Sequence, residues 1–171
     1  MKKILTFFSF FSIVFGACNK NTAPPTIQSY MRFKLNGVQV ECDSKFGASY
    51  KPSVGVDADI SFYANWGDNA LDFQLFTYTS DIVPGQYVFA PQKAYYAEIW
   101  PAGTLTTPGT HPSYVAGSGV PNSSIAGSGQ ITITEINVRY IKGSFDFITD
   151  INPQTGLFMT VTDGVFYIKR G

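Results

Sequence analysis

Residues able to do chemistry are few in this chain of 171 residues, which has one histidine, His111, in the stretch TPGTHPS. A nucleophilic triad needs a histidine held by a carboxylate and aimed at a hydroxyl or thiol. Pro112, beside His111, marks a turn instead. Two carboxylates can hydrolyse a glycoside when they flank the scissile bond, and the candidates are Asp57, Asp59, Asp72 and Asp146. Each alternates with apolar neighbours, so a solvated acid opposite a buried face is the ordinary expectation. Asp57 and Asp59 share a strand face and could hold a hard cation such as Ca²⁺, with Asp68 and Asn69 of the WGDN turn as further oxygen donors. Asp, Asn and Gly are equally what a hairpin tip requires. No zinc spacing, phosphate loop or dinucleotide fingerprint occurs. The expectation is a protein without catalytic residues, metal or cofactor.

The aromatic residues carry the functional expectation. Tyr63, Trp66, Tyr95, Tyr96 and Trp100 fall at strand ends or beside turns. Large rings with polar tips stack on sugar faces and give contact area at low entropic cost. Tyr95 and Tyr96 point to opposite sides of one strand, so one faces away from the core unless both sides are covered. These five form a candidate ligand surface for a glycan or an envelope protein; the competing reading is that they cap the rim of a core. Cys42, in VQVEC, reads as a small buried apolar side chain, with Lys45 the only nearby cation in sequence to favour a thiolate.

The elements that must position these residues are strands. Tyr, Phe, Thr, Val and Ile suit pleated, half-buried surfaces, and no window shows a convincing helical period. Tyr30 to Leu35 and Val38 to Cys42 flank Asn36-Gly37, the strongest short hairpin signal. Asp43 to Ser53 reads as a connecting loop. Val54 to Tyr63, Ala70 to Thr79, Gln86 to Ala90 and Ala94 to Trp100 read as strands, punctuated by WGDN and Pro84-Gly85. Pro101 to Gly129 is rich in Gly, Ser, Thr and Pro, with Ser113 to Ala116 the one plausible strand inside it. Gln130 to Ile136, Val138 to Thr149 and Leu157 to Lys169 read as an antiparallel meander, the last segment open to a split at Asp163-Gly164. About nine or ten strands imply an antiparallel β-sandwich, with an up-and-down β-barrel as the alternative.

The N-terminus speaks of location. Lys2 and Lys3 precede an apolar run from Ile4 to Ala17, in the range of a signal-peptide core and short for a membrane-spanning helix. FGAC resembles the lipobox of bacterial lipoproteins, in which the cysteine is acylated and becomes the new N-terminus; Phe15 stands where an aliphatic residue is usual. The expected anatomy is a signal peptide at 1–17, lipidated Cys18 with a flexible tether at 18–29, and a single all-β domain at 30–171. Several acyl chains hold such a protein on a membrane. The chain balances 12 basic against 12 acidic residues, and loss of Lys2 and Lys3 leaves 10 against 12. That charge offers no footprint for nucleic acid.

The run SGQITITEINVRYIKGSFDFITDINPQTGLFMTVTDGVFYI is similar to the closing signature of a family of small Bacteroidetes lipoproteins of unknown function. LNGVQVEC and IVPGQYVFA resemble that group's opening and middle elements, with Gln39-Val40 where an aromatic is common. The resemblance implies a shared β-rich fold and a place in the cell envelope, lipid-anchored in the outer membrane and facing the periplasm or the surface. NKNTAPP after Cys18 favours the periplasmic side. The resemblance brings no catalytic residues. A structural or assembly role among envelope proteins is the alternative to ligand binding.

Overall fold

A computed structural model describes residues 28–51, 58–77, 81–90, 93–101, 113–117 and 127–170. These residues form eleven strands: β1 (Tyr30–Leu35), β2 (Val38–Glu41), β3 (Ser44–Lys51), β4 (Ala58–Trp66), β5 (Asn69–Thr77), β6 (Gly85–Phe89), β7 (Tyr95–Trp100), β8 (Tyr114–Gly117), β9 (Ser128–Ile136), β10 (Tyr140–Ile148) and β11 (Thr160–Lys169). They build two sheets, one ordered β2-β1-β11-β10-β9-β6 and the other β3-β4-β5-β7-β8. Every pairing is antiparallel. The architecture is therefore the sandwich expected from the sequence; the sheets are open, which sets the barrel aside.

Local sequence explains the hairpins. Asn36 and Gly37 adopt φ of 50° and 83°, the pair of left-handed conformations that a type I′ turn needs. Asn36 also ties its hairpin to β11, accepting from the Thr160 N–H at 2.8 Å through Oδ1. In the β10–β11 connection, Asn152 Oδ1 accepts from the backbone N–H groups of Gln154 and Thr155 at 2.9 and 3.1 Å. Its Nδ2 donates to the Ser113 carbonyl at 2.7 Å, which fastens that loop to the start of β8. Asp163-Gly164 does not split the last strand. Asp163 takes φ 56°, and the ladder slips there as a bulge while β11 continues. Gly164 is required because a Cβ at that position would meet the Phe145 ring and carbonyl.

One expectation is corrected. The segment 43–53, read as a loop, contains β3, which pairs with β4 from Ser44↔Asn65 to Lys51↔Asp59. Phe46, Ala48 and Tyr50 pack against the core while the residues between them face outward. Glycine, alanine, serine and lysine have weak strand preference, and the tertiary pairing overrides it. The added strand also raises the count above the nine or ten expected. Of the strand expected over 54–63, residues 54–57 lie outside the described set, as do Cys18, His111 and Asp57.

The core is a layer of phenylalanines shared by both sheets. Phe73 of β5 stacks on Phe62 of β4 at 4.9 Å and meets Phe145 and Phe147 of β10 at 4.8 and 6.0 Å. Phe62 in turn stacks on Phe166 of β11 at 4.7 Å. Phe73 is fully buried, so truncating it removes contacts to both sheets at once. Phe73→Ala is expected to lower stability by about 3–5 kcal/mol, and Phe73→Leu by clearly less, as read from urea unfolding followed by circular dichroism.

Candidate functional site

Strand parity sorts the five candidate aromatics into two groups. On β4 the core side carries Ala58, Ile60, Phe62 and Ala64, and Trp66 shares their parity. Trp66 is half-buried and meets Phe33 edge-on, ring centroids 5.4 Å apart at 86°. On β7, Tyr95 shares parity with the buried Ala97 and Ile99 and meets Tyr87 edge-on at 5.3 Å. Both pack against the core. Tyr63, Tyr96 and Trp100 have the opposite parity and lie on the outer face of the β3-β4-β5-β7-β8 sheet.

Register then brings specific neighbours to that face. Tyr63 of β4 lies opposite Asp72 of β5, and Asp72 lies opposite Glu98 of β7. One step along, Asn65, Ala70 and Trp100 form the next cross-strand row. Ser61, Gln74 and Tyr96 form the row on the other side. Lys45, Tyr63, Asn65, Ala70, Asp72 and Trp100 line a concavity of about 390 Å³, within the size range of small-ligand sites. Ala70, buried between its two larger row neighbours, leaves the floor low.

Two backbone features shape this concavity. Gly47 lies opposite Tyr63, and the tyrosine ring lies across it: a Cβ at Gly47 would come within 2.5 Å of the ring's Cε1. The missing side chain lets Tyr63 lean toward β3, away from the floor, with 44% of its surface exposed. Lys45 adopts a left-handed φ of 50° where the β3–β4 register slips between Ser44 and Gly47. That bulge sets Lys45 at the rim.

Electrostatically the centre of the face is acidic. Asp72 and Glu98 are cross-strand neighbours of like charge, an arrangement that costs stability when both are ionised. Burial, then the charge of Glu98, pushes the Asp72 carboxyl up to about 7, while a hydrogen bond from the Phe73 backbone pulls the other way. Glu98 is also raised, by burial, with a hydrogen bond from Ser113 opposing. Burial and then the nearby acids Asp72, Glu98 and Asp59 push the Tyr96 hydroxyl up to about 12. Asp59 Oδ1 is buried without a hydrogen-bond partner among the described residues. Sequence reasoning named Asp72 as a possible carboxylate but missed Glu98. Its role depends on the β5–β7 register, which no local pattern reveals.

Other surfaces offer less. On the outer face of the β2-β1-β11-β10-β9-β6 sheet, Tyr30, Tyr167 and Tyr140 stack in a ladder at 6.1 and 4.8 Å, with Arg32 and Lys142 over the end rings. Their ring faces are occupied by one another and by those cations. A second concavity of about 440 Å³ lies over β9, β10 and β11, lined mostly by short polar side chains such as Thr132 and Ser144, with no surface aromatic. Cys42 is a free, buried cysteine; burial pushes its thiol up to about 12, so it stays protonated and unreactive at neutral pH. Among the described residues, no group of three or more His, Cys, Asp or Glu could hold a metal ion.

The fold and face together define an open antiparallel β-sandwich carrying an aromatic-walled, acidic concavity on one sheet. The chain belongs to a family described as a domain of unknown function (DUF6252), which matches residues 37–168. Comparison with curated proteins and with solved structures gives no match.

The raised Asp72 carboxyl has a consequence for stability. Its folded-state pKa lies above the unfolded value, so its contribution is fully present below about pH 4 and is lost as pH rises through about 7. Asp72→Asn removes that loss. At pH 8 the variant is expected to be more stable than wild type by up to about 4 kcal/mol, with the difference shrinking toward pH 4, in urea melts across that range.

Proposed function

We propose that this protein is a lipid-anchored envelope module that binds a glycan without turning it over, and that the ligand lies in the Tyr63–Trp100 concavity. The observation that carries the reading is the outward placement of Tyr63 and Trp100 on either side of the small floor residue Ala70, with Asn65 and Asp72 as polar groups. A pyranose has apolar faces and a rim of hydroxyls. Aromatic walls suit the faces, and a carboxylate and an amide suit the hydroxyls. Lipidation at Cys18 is supported by the basic start, the apolar run and FGAC. It would hold the domain on the outer membrane through the 18–29 tether, facing the periplasm or the surface.

One observation favours a second reading. Asp72, held near 7 beside Glu98 in a concavity, is poised as a general acid, as glycoside hydrolysis requires. Against this, both acids lie side by side on neighbouring strands at one side of the site, and a ligand resting on the sheet would meet them from the same face. Analysis of reducing ends after incubation separates binding from hydrolysis.

The Cys18→Ser protein is expected to keep its leader and to incorporate no labelled fatty acid, whereas wild type is shortened and labelled; a variant shortened as wild type is, or an unlabelled wild type, would remove the anchor reading. In the Cys18→Ser, Trp66→Phe background, Trp100 is the sole tryptophan. Titration with neutral and charged oligosaccharides is expected to shift its emission saturably. Tyr63→Ala should weaken that binding about tenfold or more, about 1.4 kcal/mol. Gly47→Ala, which forces the Tyr63 ring off its seat, should also weaken it. An unresponsive Trp100 across the panel would contradict the proposal.

A further inference from the structure

The charge of the concavity narrows the ligand class, given its reading as a glycan site. Asp72, which lines the concavity, faces Glu98 beside it across β5 and β7, and among the described residues neither forms a salt bridge; the surface ion pairs among them are Lys34–Asp163 and Lys142–Glu135, on the other sheet. Among the described residues, the groups facing the pair are Tyr63 and Asp59 on β4, Tyr96 on β7, Ser113, which hydrogen-bonds to Glu98, with Val115 on β8, and Lys45 and Lys51 on β3. Lys45 stands at the far rim of the concavity, and Lys51 is the cross-strand neighbour of Asp59 instead. The connecting segments 52–57, 78–80, 91–92, 102–112 and 118–126 contain no lysine or arginine, so they bring no permanent cation to this face.

Half-buried carboxylates without a counter-charge are costly, and electron-rich ring faces beside them add attraction for a cation. We propose that the ligand is an amino sugar, its ammonium group seated on the Asp72–Glu98 pair while Tyr63 and Trp100 hold the faces of its ring. An ammonium offers three donors to two facing carboxyls, and its charge relieves the repulsion between them. The hollow also explains why a sugar fits better than a lysine side chain. A lysine stem is narrow, whereas the floor between Tyr63 on β4 and Trp100 on β7 spans the width of two strand spacings, about 10 Å.

The test is a calorimetric titration at pH 7 and low salt of the Cys18→Ser protein with three probes: a β-1,4-linked glucosamine trimer, its fully N-acetylated counterpart, and trilysine. The glucosamine trimer is expected to bind at least tenfold more tightly than the acetylated trimer. Asp72→Asn and Glu98→Gln should erase that preference, weakening binding of the glucosamine trimer by a larger factor than binding of the acetylated trimer. Equal or tighter binding of the acetylated trimer would overturn the amino-sugar inference and leave the glycan reading standing. Binding of trilysine alone would overturn the sugar class. Silence with all three would overturn both readings. A preference that survives both acid-to-amide variants would refute the role of the pair, and urea melts of both variants separate a loss of preference from misfolding.

Discussion

The rest of the structure depends on the phenylalanine layer between the sheets. Phe62 and Phe73 from one sheet interleave with Phe145, Phe147 and Phe166 from the other, at centroid distances between 4.7 and 6.2 Å for the close pairs. Cys42 is a free cysteine among the described residues, and this stack fixes one sheet against the other. It also fixes parity. Once Phe62 and Phe73 point inward, Tyr63 and Asp72 must point outward, because successive side chains on a strand alternate. A one-residue slip would bury the acids and expose the phenylalanines. Core and site are two faces of one alternation.

That coupling gives the outer face its rigidity. The concavity sits on β4, β5 and β7, strands inside the sheet and flanked on both sides. Its walls are therefore held by ladder hydrogen bonds, without reliance on a loop. The like-charge pair Asp72 and Glu98 lies on the outer side of the strands whose inner side carries Phe73 and Ile99. Burial displaces both carboxyls upward, and the Glu98 charge adds to the displacement of Asp72. Acids displaced upward beside aromatic walls distinguish this surface from the outer face of the opposite sheet, with its ion pairs closed and its tyrosines self-stacked.

Much of the fold was legible along the chain. Asn36-Gly37 specified a turn type, and the alternations in 130–136 and 144–148 gave the closing meander because both signals are local. β3 was not legible: Phe46, Ala48 and Tyr50 alternate correctly, but Gly47, Ser49 and Lys51 between them weaken strand preference. The partition into sheets was hidden for a different reason. The chain switches sheets after β2, β5, β6 and β8, and no residue at those switches signals which sheet comes next. The site was half legible. Parity alone assigns Trp66 to the side of Phe62 and Ala64, and Tyr95 to that of Ala97 and Ile99; proximity to turns obscured it. The meeting of Asp72 with Glu98 rests on pairing across 26 positions, and only the register supplies it.

The central claim is that the ligand lies on the outer face of β4, β5 and β7, over Ala70. Its most direct test is a chemical-shift map of the isotopically labelled Cys18→Ser protein, recorded as a bound oligosaccharide is added. The account predicts perturbations centred on Tyr63, Ala70, Asp72 and the Trp100 indole, fading toward β6 and β2. Perturbations confined to Tyr30, Tyr140 and Tyr167, or to the polar hollow at Thr132 and Ser144, would place the ligand on the opposite sheet and contradict it.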